Sequence, residues 1–158
     1  VLKGLSRREH RSLPSLDCDR ARRLAARCGD LSIILTGGLE NADQASAEMP
    51  GFDGIMIGRA AYRTPYVLAE MAQQIFGTAL PQRYQVAQAM AEYANSMTKT
   101  GVPLHSITRH MLGLYAGQSG AKYWRRQLGE MARNADDAGN FITDTASFCE
   151  NLAVKHAA

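Results

Sequence analysis

Apolar side chains in the first eighty residues alternate between short continuous runs and helical spacing. Residues 32–38 and 54–59 are each a run of aliphatic side chains that ends at a glycine signature, which is typical of a buried parallel strand followed by a tight turn. Residues 17–28, 41–48 and 65–76 have the spacing of helices. The order helix, strand, helix, strand, helix predicts the end of a βα array, which is an α/β architecture.

Both predicted strands lead into candidate phosphate-binding loops. Gly37 and Gly38 follow the first strand, and Gly58 and Arg59 follow the second. In (β/α)8 TIM barrels the loops after strands seven and eight hold a phosphate with backbone N–H groups. Glycine suits such a loop because a Cβ would block the close approach of the backbone. We therefore predict a phosphate site here, with simple chain turning as the alternative role of these glycines.

From residue 83 onward the strand pattern disappears and apolar residues recur at helical spacing. Four such sets predict four amphipathic helices of ten to seventeen residues, packed as a small all-α bundle. We place the domain boundary between residues 80 and 81, with residues 1–80 as the barrel part and 81–158 as the helical domain. The predicted core positions are Val86, Met90, Tyr93 and Met97; Leu104, Ile107, Met111 and Leu114; Ala121, Trp124, Leu128 and Met131; and Phe141, Thr145, Phe148 and Leu152.

The composition indicates a globular protein of the cytoplasm. Hydrophobic residues make up 46% of the chain, without an apolar run that could span a membrane and without a signal-peptide pattern. Three cysteines without CxxC spacing or nearby histidines argue against a disulfide framework and against a metal site. Cys18 and Cys28 are predicted to pack as small apolar residues on the first helix. His105 and His110 have no acid or cysteine at catalytic spacing, so we predict surface or core roles for them.

Positive charge is concentrated in two parts of the chain. Residues 1–27 hold eight Lys or Arg against three acids, and residues 99–135 hold six against one. On a chain with a net charge of only +3, two such blocks suggest a surface that binds a polyanion. An ordinary solvated face is the favoured interpretation for four arginines on the first predicted helix, namely Arg20, Arg22, Arg23 and Arg27. Arg8 and Arg11 lie in a loop-like stretch with Gly, Ser and Pro, whereas Arg109, Arg125 and Arg126 lie off the apolar stripes of the bundle.

The length predicts that part of the barrel is absent from this chain. A complete TIM barrel takes about 250 residues, whereas this chain has 158 residues, begins at Val1 and contains two convincing strands. We therefore expect the last part of a (β/α)8 barrel followed by the helical domain.

Several stretches together resemble the tRNA-dihydrouridine synthases. They are residues 53–62 (DGIMIGRAAY), Pro65-Tyr66 and residues 107–114 (ITRHMLGL), with further similarity in residues 2–6 and 120–126. The resemblance is closest to the A subfamily, and it covers nearly the whole chain. Members of this family have a flavin-binding TIM barrel followed by a helical domain.

The resemblance implies an oxidoreductase that reduces uridines in the D-loop of tRNA to 5,6-dihydrouridine, with FMN as cofactor and NADPH as reductant. It implies a complete enzyme that is monomeric, with tRNA as its partner. The family more often has Asn where Thr36 stands. The implied ligands of the FMN phosphate are Thr36, Gly37, Gly38, Gly58 and Arg59, and the expected tRNA contacts are Arg8, Arg11, Arg109, Arg125 and Arg126.

No catalytic residue is assigned in this chain. The family's general acid is a cysteine in an Asn-x-Gly-Cys-Pro-like loop, and Cys18, Cys28 and Cys149 have different surroundings. We therefore expect this chain to be inactive by itself. Two alternatives stay open, namely another FMN-dependent TIM-barrel oxidoreductase, against which the helical domain argues, and a non-catalytic RNA-binding module.

Overall fold

The computed structural model describes residues 17–157, so the predicted tRNA contacts Arg8 and Arg11 lie outside the described residues. The chain divides into two compact units, and the division falls after Gly58. The described part is mostly helical with one small two-stranded sheet. In this division residues 59–80 group with the helical unit, and the domain boundary between residues 80 and 81 stays a prediction.

The first unit has the predicted order of helix, strand, helix and strand. Its two strands are parallel neighbours, with Leu35 paired to Ile55 and Thr36 to Met56. The elements are α1 (Cys18–Arg27), β1 (Ile34–Thr36), α2 (Ala42–Glu48) and β2 (Gly54–Met56).

Asp53 fixes the register of this sheet from just before β2. Its backbone N–H donates to the Ile33 carbonyl at 3.0 Å, and its Oδ2 accepts from the Ile33 N–H at 2.7 Å. The strands are only three residues long, and they are more exposed than the prediction of buried strands required. Leu35 is buried, but Ile34 and Met56 are each 51% exposed.

Both helices of the first unit begin at a side-chain cap. Asp17 accepts from the N–H of Arg20 at 2.9 Å, and Asn41 accepts from the N–H of Gln44 at 2.8 Å. The apolar side chains of α1 are at most half-buried, and Leu24 is exposed. Cys18 and Cys28 are likewise half-buried, so the prediction that they pack on this helix holds only in part.

An arginine joins α1 to α2. Arg22 forms an ion pair with Glu48 and also donates to the Pro50 carbonyl at 3.3 Å. Its side chain is one-third exposed, and its guanidinium lies 5.8 Å from the centre of the Phe52 ring. This arginine of the first basic block therefore has a structural role, in contrast to a freely solvated one.

The second unit is a helical bundle whose longest helices pack along each other. Helix α5 has its main contact with α8, and α7 continues without a break into a π-helical turn over Gln127–Met131 and a 3-10 turn over Ala132–Asn134. The helices are α3 (Arg59–Arg63), α4 (Val67–Phe76), α5 (Arg83–Lys99), α6 (Leu104–Thr108), α7 (Ala121–Arg126) and α8 (Ala138–Ala157).

The buried face of α5 consists of small residues. Ala87, Ala91 and Ala94 are the buried positions, while the predicted core residue Tyr93 is half exposed. Small side chains let α8 approach closely, and Gly139 on α8 donates its N–H to Asn95 at 2.7 Å. The prediction chose large residues for this stripe and was therefore wrong at Tyr93.

The π-helical turn shifts the buried stripe after α7. Trp124 and Leu128 are fully buried, as predicted, but Met131 is exposed and Ala132 is buried in its place. An α-helical stripe can continue either three or four residues after Leu128, and a π turn, which holds about one more residue than an α turn, favours the later of the two positions. The prediction chose the earlier position and was therefore wrong at Met131.

The fourth stripe is confirmed at Thr145, which is buried, but the most deeply buried positions lie one residue later than predicted. Ile142, Ala146 and Cys149 are completely buried, whereas the predicted core residue Phe148 is 44% exposed. Phe148 lies against Tyr123, with the ring centres 4.2 Å apart, and so packs at the edge of the bundle.

The second predicted helix is much shorter than expected. Helix α6 ends at Thr108, and residues 109–119 form successive turns. Two carbonyl groups in these turns accept from distant side chains, with Met111 accepting from the Trp124 indole and Leu114 from Arg83. All four predicted core residues of this stretch are nevertheless buried: Leu104, Ile107, Met111 and Leu114.

Gly113 allows a very close backbone approach within the bundle. A Cβ at this position would lie 1.8 Å from the carbonyl oxygen of Arg63. Because that neighbour is backbone, a larger residue would have to displace the end of α3.

We expect Gly113→Ala to lower the free energy of unfolding by about 1–3 kcal/mol, the usual cost of overpacking. Urea denaturation followed by circular dichroism measures this change. Gly129→Ala is the matched control, because a Cβ there meets no atom within 4 Å. Equal unfolding midpoints for the two variants would contradict the predicted close contact.

Candidate functional site

The two predicted phosphate loops leave the same edge of the sheet. Thr36 is paired with Met56, and Gly37 and Gly38 follow β1 directly, while Gly58 comes two residues after the end of β2. Because the strands are parallel and in register, their carboxyl ends lie side by side. The hydroxyl of Thr36 donates to the Met56 sulfur at 3.6 Å, which ties the two strand ends together.

The glycines of these loops have different physical reasons for being glycine. Gly37 and Gly38 have φ values of 113° and 61°, a region that other residues rarely adopt. Gly58 has no positive φ, and a Cβ on it would meet no atom within 4 Å. Nothing among the described residues therefore requires glycine at position 58. An exposed glycine that the fold does not require fits a backbone approached closely by a ligand, such as a phosphate.

Arg59 lies next to Gly58 in the chain and begins α3 in the second unit. It is exposed. The sheet therefore brings together the predicted phosphate residues of the first unit. Arg59 is near them because it is the next residue after Gly58 in the chain.

Arg109 and His110 lie on the surface of the bundle in a chain of hydrogen bonds. Arg109 Nε donates to His110 Nε2 at 3.0 Å, and His110 Nδ1 lies 3.0 Å from the Tyr62 hydroxyl. Because Nε2 accepts, the proton of the neutral imidazole is on Nδ1, from which it is donated to Tyr62 Oη. Tyr62 also meets the His110 ring edge-on, with ring centres 5.7 Å apart.

Arg125 and Arg126 are exposed on α7. Arg126 Nε lies 3.5 Å from a carboxylate oxygen of Glu130, and the two side chains of this pair are 71% and 69% exposed. Exposed pairs of this kind contribute little to stability because water and salt screen them. Both guanidinium groups are thus available to a polyanion.

Two buried hydrogen bonds hold the segment with Arg109 against the helix with Arg125. Thr108 Oγ1 donates to the Leu128 carbonyl at 2.8 Å, and the Trp124 indole N–H donates to the Met111 carbonyl at 2.8 Å. Both side chains are fully buried. The predicted tRNA contacts of the bundle are therefore carried by two segments with a fixed relative position.

A buried polar group completes the core behind these segments. Tyr115 packs on Trp124, with ring centres 4.8 Å apart, and donates its hydroxyl to Glu150 at 2.8 Å. Burial and the Glu150 carboxylate raise the pKa of Tyr115 above its ordinary range. Burial also raises the pKa of Cys149 to about 11. Since the thiolate is the reactive form of cysteine, Cys149 is a packing residue at neutral pH.

Within residues 17–157, no group of three or more His, Cys, Asp or Glu is arranged to hold a metal ion. None of the helices in the same part of the chain has the length and apolar character needed to cross a membrane.

A comparison with protein families shows what these features belong to. The family model described as Dihydrouridine synthase (Dus) matches residues 1–152. The chain belongs to the dihydrouridine synthase family. The ITRHMLGL stretch of this family member combines buried contacts through Thr108, Met111, Gly113 and Leu114 with the exposed pair Arg109 and His110.

Related dihydrouridine synthases cover most of this chain. A protein named tRNA-dihydrouridine(20/20a) synthase from Vibrio parahaemolyticus is 40% identical over 145 residues, which are 90% of this chain and 44% of the relative. The protein of the same name from Pseudomonas syringae pv. tomato is 36% identical over 95% of this chain and 45% of its own length. The one from Escherichia coli K12 is 40% identical over 85% of this chain and 39% of its own length. The chain thus spans less than half the length of these curated relatives.

Sequence reasoning did not find Tyr62 as part of the surface network. It lies in the stretch that carried the family resemblance, but no role was assigned to it. Tyr62 and His110 are 48 positions apart, and neither periodicity nor charge indicates that their side chains meet.

We expect Thr108→Val to lower the free energy of unfolding by about 1–3 kcal/mol, because the buried Leu128 carbonyl loses its hydroxyl donor. Thr100→Val is the matched control, since the exposed Thr100 hydroxyl donates to the Met97 carbonyl at the end of α5. Its change should stay within about 0.5 kcal/mol. Chemical denaturation measures both variants, and equal losses would contradict a special role for the buried bond.

Proposed function

We propose that this chain is the C-terminal part of a tRNA-dihydrouridine synthase of the A subfamily. In this proposal residues 1–80 are the last part of the FMN-binding TIM barrel, and residues 81–158 are a helical tRNA-binding domain. The observation that carries it is the pairing of β1 with β2, which puts two glycine loops at one sheet edge in a member of this family. The names of the relatives support a tRNA substrate reduced at positions 20 and 20a, in the D-loop.

In the whole enzyme, bound FMN would supply the hydride that reduces uridine to 5,6-dihydrouridine, with NADPH as the reductant. We assign cofactor binding to this chain. The FMN phosphate would be held chiefly by backbone N–H groups of Thr36, Gly37, Gly38 and Gly58, and of Arg59, which follows Gly58 in the chain. The general acid is assigned to a cysteine outside this chain, so we expect no turnover from this chain by itself.

The bundle supplies cations for the tRNA backbone. Arg109, Arg125 and Arg126 are exposed, and the buried hydrogen bonds of Thr108 and Trp124 fix the segments that carry them. Phosphate contacts of this kind position an RNA without reading its sequence. Arg8 and Arg11 stay predicted contacts. A cytoplasmic, monomeric complete enzyme also stays part of the proposal.

The FMN assignment is tested by replacing Gly58. Gly58→Val should weaken FMN binding to the chain by about tenfold, because the new side chain would fill the space that the phosphate needs. Quenching of flavin fluorescence measures the affinity, and riboflavin, which has no phosphate, should bind more weakly than FMN. Gly29→Val is the control, since a Cβ on that glycine would also meet no atom within 4 Å. Equal binding of FMN and riboflavin would overturn the phosphate site.

The tRNA assignment is tested by charge reversal. Arg125→Glu combined with Arg126→Glu should weaken tRNA binding at least about tenfold and lower the slope of log K against log salt by about 2. Arg23→Glu with Arg27→Glu makes the same change in net charge on exposed positions of α1. Fluorescence anisotropy with labelled tRNA measures both. Equal losses for the two double variants would show a general charge effect and remove Arg125 and Arg126 from the interface.

A further inference from the structure

The bundle has an apolar cavity beside the hydrogen-bonded surface residues. The cavity has a volume of about 300 Å³ and lies between α4, α5 and the turns after α6. Among the described residues that line it, His110 and the Tyr66 hydroxyl supply the polar side-chain groups. The lining residues are Pro65, Tyr66, Leu68, Ala69, Val86, Met90, His110, Met111 and Leu114.

One wall of the cavity is held rigidly. The Arg83 guanidinium lies over the Tyr66 ring, 3.6 Å from its centre, and Arg83 also donates to the Leu114 carbonyl. The Tyr66 hydroxyl donates to the Pro81 carbonyl at 2.6 Å. Because Tyr66 and Leu114 both line the cavity, its shape is established before any ligand binds. Preformed apolar cavities with a few fixed polar groups are typical of small-molecule sites.

Two hydrogen-bond donors, Tyr62 and Arg109, adjoin the cavity through His110; they do not line it themselves, but both contact this lining residue. His110 uses both ring nitrogens, one toward Arg109 and one toward Tyr62. Since His110 donates to Tyr62 Oη, the Tyr62 hydroxyl keeps its own proton for an acceptor. Arg109 uses Nε toward His110, so the N–H groups on its two Nη atoms can reach a further acceptor.

We propose that this cavity binds a single unpaired nucleobase of the tRNA. The base ring lies against the apolar walls, a carbonyl on its edge accepts from Tyr62, and Arg109 contacts the neighbouring phosphate. RNA-binding proteins commonly take unstacked bases in this way, with aromatic contact and hydrogen bonds to the base edge. The inference rests on the proposed tRNA substrate, but the residues that line this cavity do not include Arg125 or Arg126.

The methionine methyl groups give a direct test in the unaltered chain. Met90 and Met111 line the cavity, while Met97 and Met131 belong to the same unit and do not. With methyl-labelled methionine, a short oligouridylate should shift the NMR signals of Met90 and Met111 through the ring current of the base. The signals of Met97 and Met131 should stay unchanged. Binding of the oligonucleotide without a selective shift at Met90 and Met111 would overturn the proposal.

Two matched pairs of variants test the walls and the donor. Leu68→Glu should weaken oligouridylate binding at least about fivefold, whereas Phe76→Glu, an exposed apolar position on the same helix outside the lining, should not. Tyr62→Phe should weaken oligouridylate binding about threefold, whereas Tyr93→Phe should leave the affinity unchanged. Circular dichroism melts establish that each variant is folded. Equal affinities within both pairs would exclude the cavity as the binding site.

The outcome is separable from that of the proposed function. Loss of tRNA affinity in the Arg125 and Arg126 double variant, with the Met90 and Met111 shifts retained, would support both proposals. Tight tRNA binding without those shifts would overturn only the base pocket. Selective shifts with oligouridylate in a chain that does not bind tRNA would support the pocket and contradict the tRNA assignment.

Discussion

The docking of Trp124 against the turns after α6 is the interaction on which the helical unit depends. The indole is fully buried and donates to the Met111 carbonyl, and four residues later in the chain the Leu128 carbonyl accepts from Thr108. A buried carbonyl without a donor costs about 1–3 kcal/mol. These reciprocal bonds therefore select one way of laying the two segments together. This arrangement of the two segments also fixes the positions from which Arg109, Arg125 and Arg126 extend.

The smaller unit depends on a comparable constraint at its sheet. Asp53 uses both its N–H and its carboxylate on Ile33, so the two strands enter the sheet in one register. Register decides which residues leave the sheet together. With Thr36 opposite Met56, the glycine loops emerge as neighbours. A small sheet can thus define the geometry of a loop pair even though its strands are short and partly exposed.

Much of the local structure was predictable from sequence because it depends on local signals. The strand and helix order of the first unit, the helix start at Asn41, and the burial of Trp124 and Leu128 follow from periodicity and turn chemistry. The core of α5 was not predictable in this way, since packing against α8 favours alanine over the larger Tyr93. Helix α6 is short because side chains from other elements donate hydrogen bonds to carbonyl groups in the turns that follow it. The two glycine loops could be predicted to be neighbours, and their ligand stays a prediction. The contact of Tyr62 with His110 could not be predicted, because folding alone brings these two side chains together.

The π-helical turn at Gln127–Met131 has a consequence for the surface as well as for the core. Each residue of an α-helix advances the chain by about 100° around the axis. The π turn accommodates about one residue more than an α turn, so Trp124 before it and Ala132 after it both lie in the core. If the same residues formed a regular α-helix, α7 would be rotated by roughly that angle relative to Ala132, and Arg125 and Arg126 would face a different direction. The π turn therefore sets the direction in which this helix presents its positive charge.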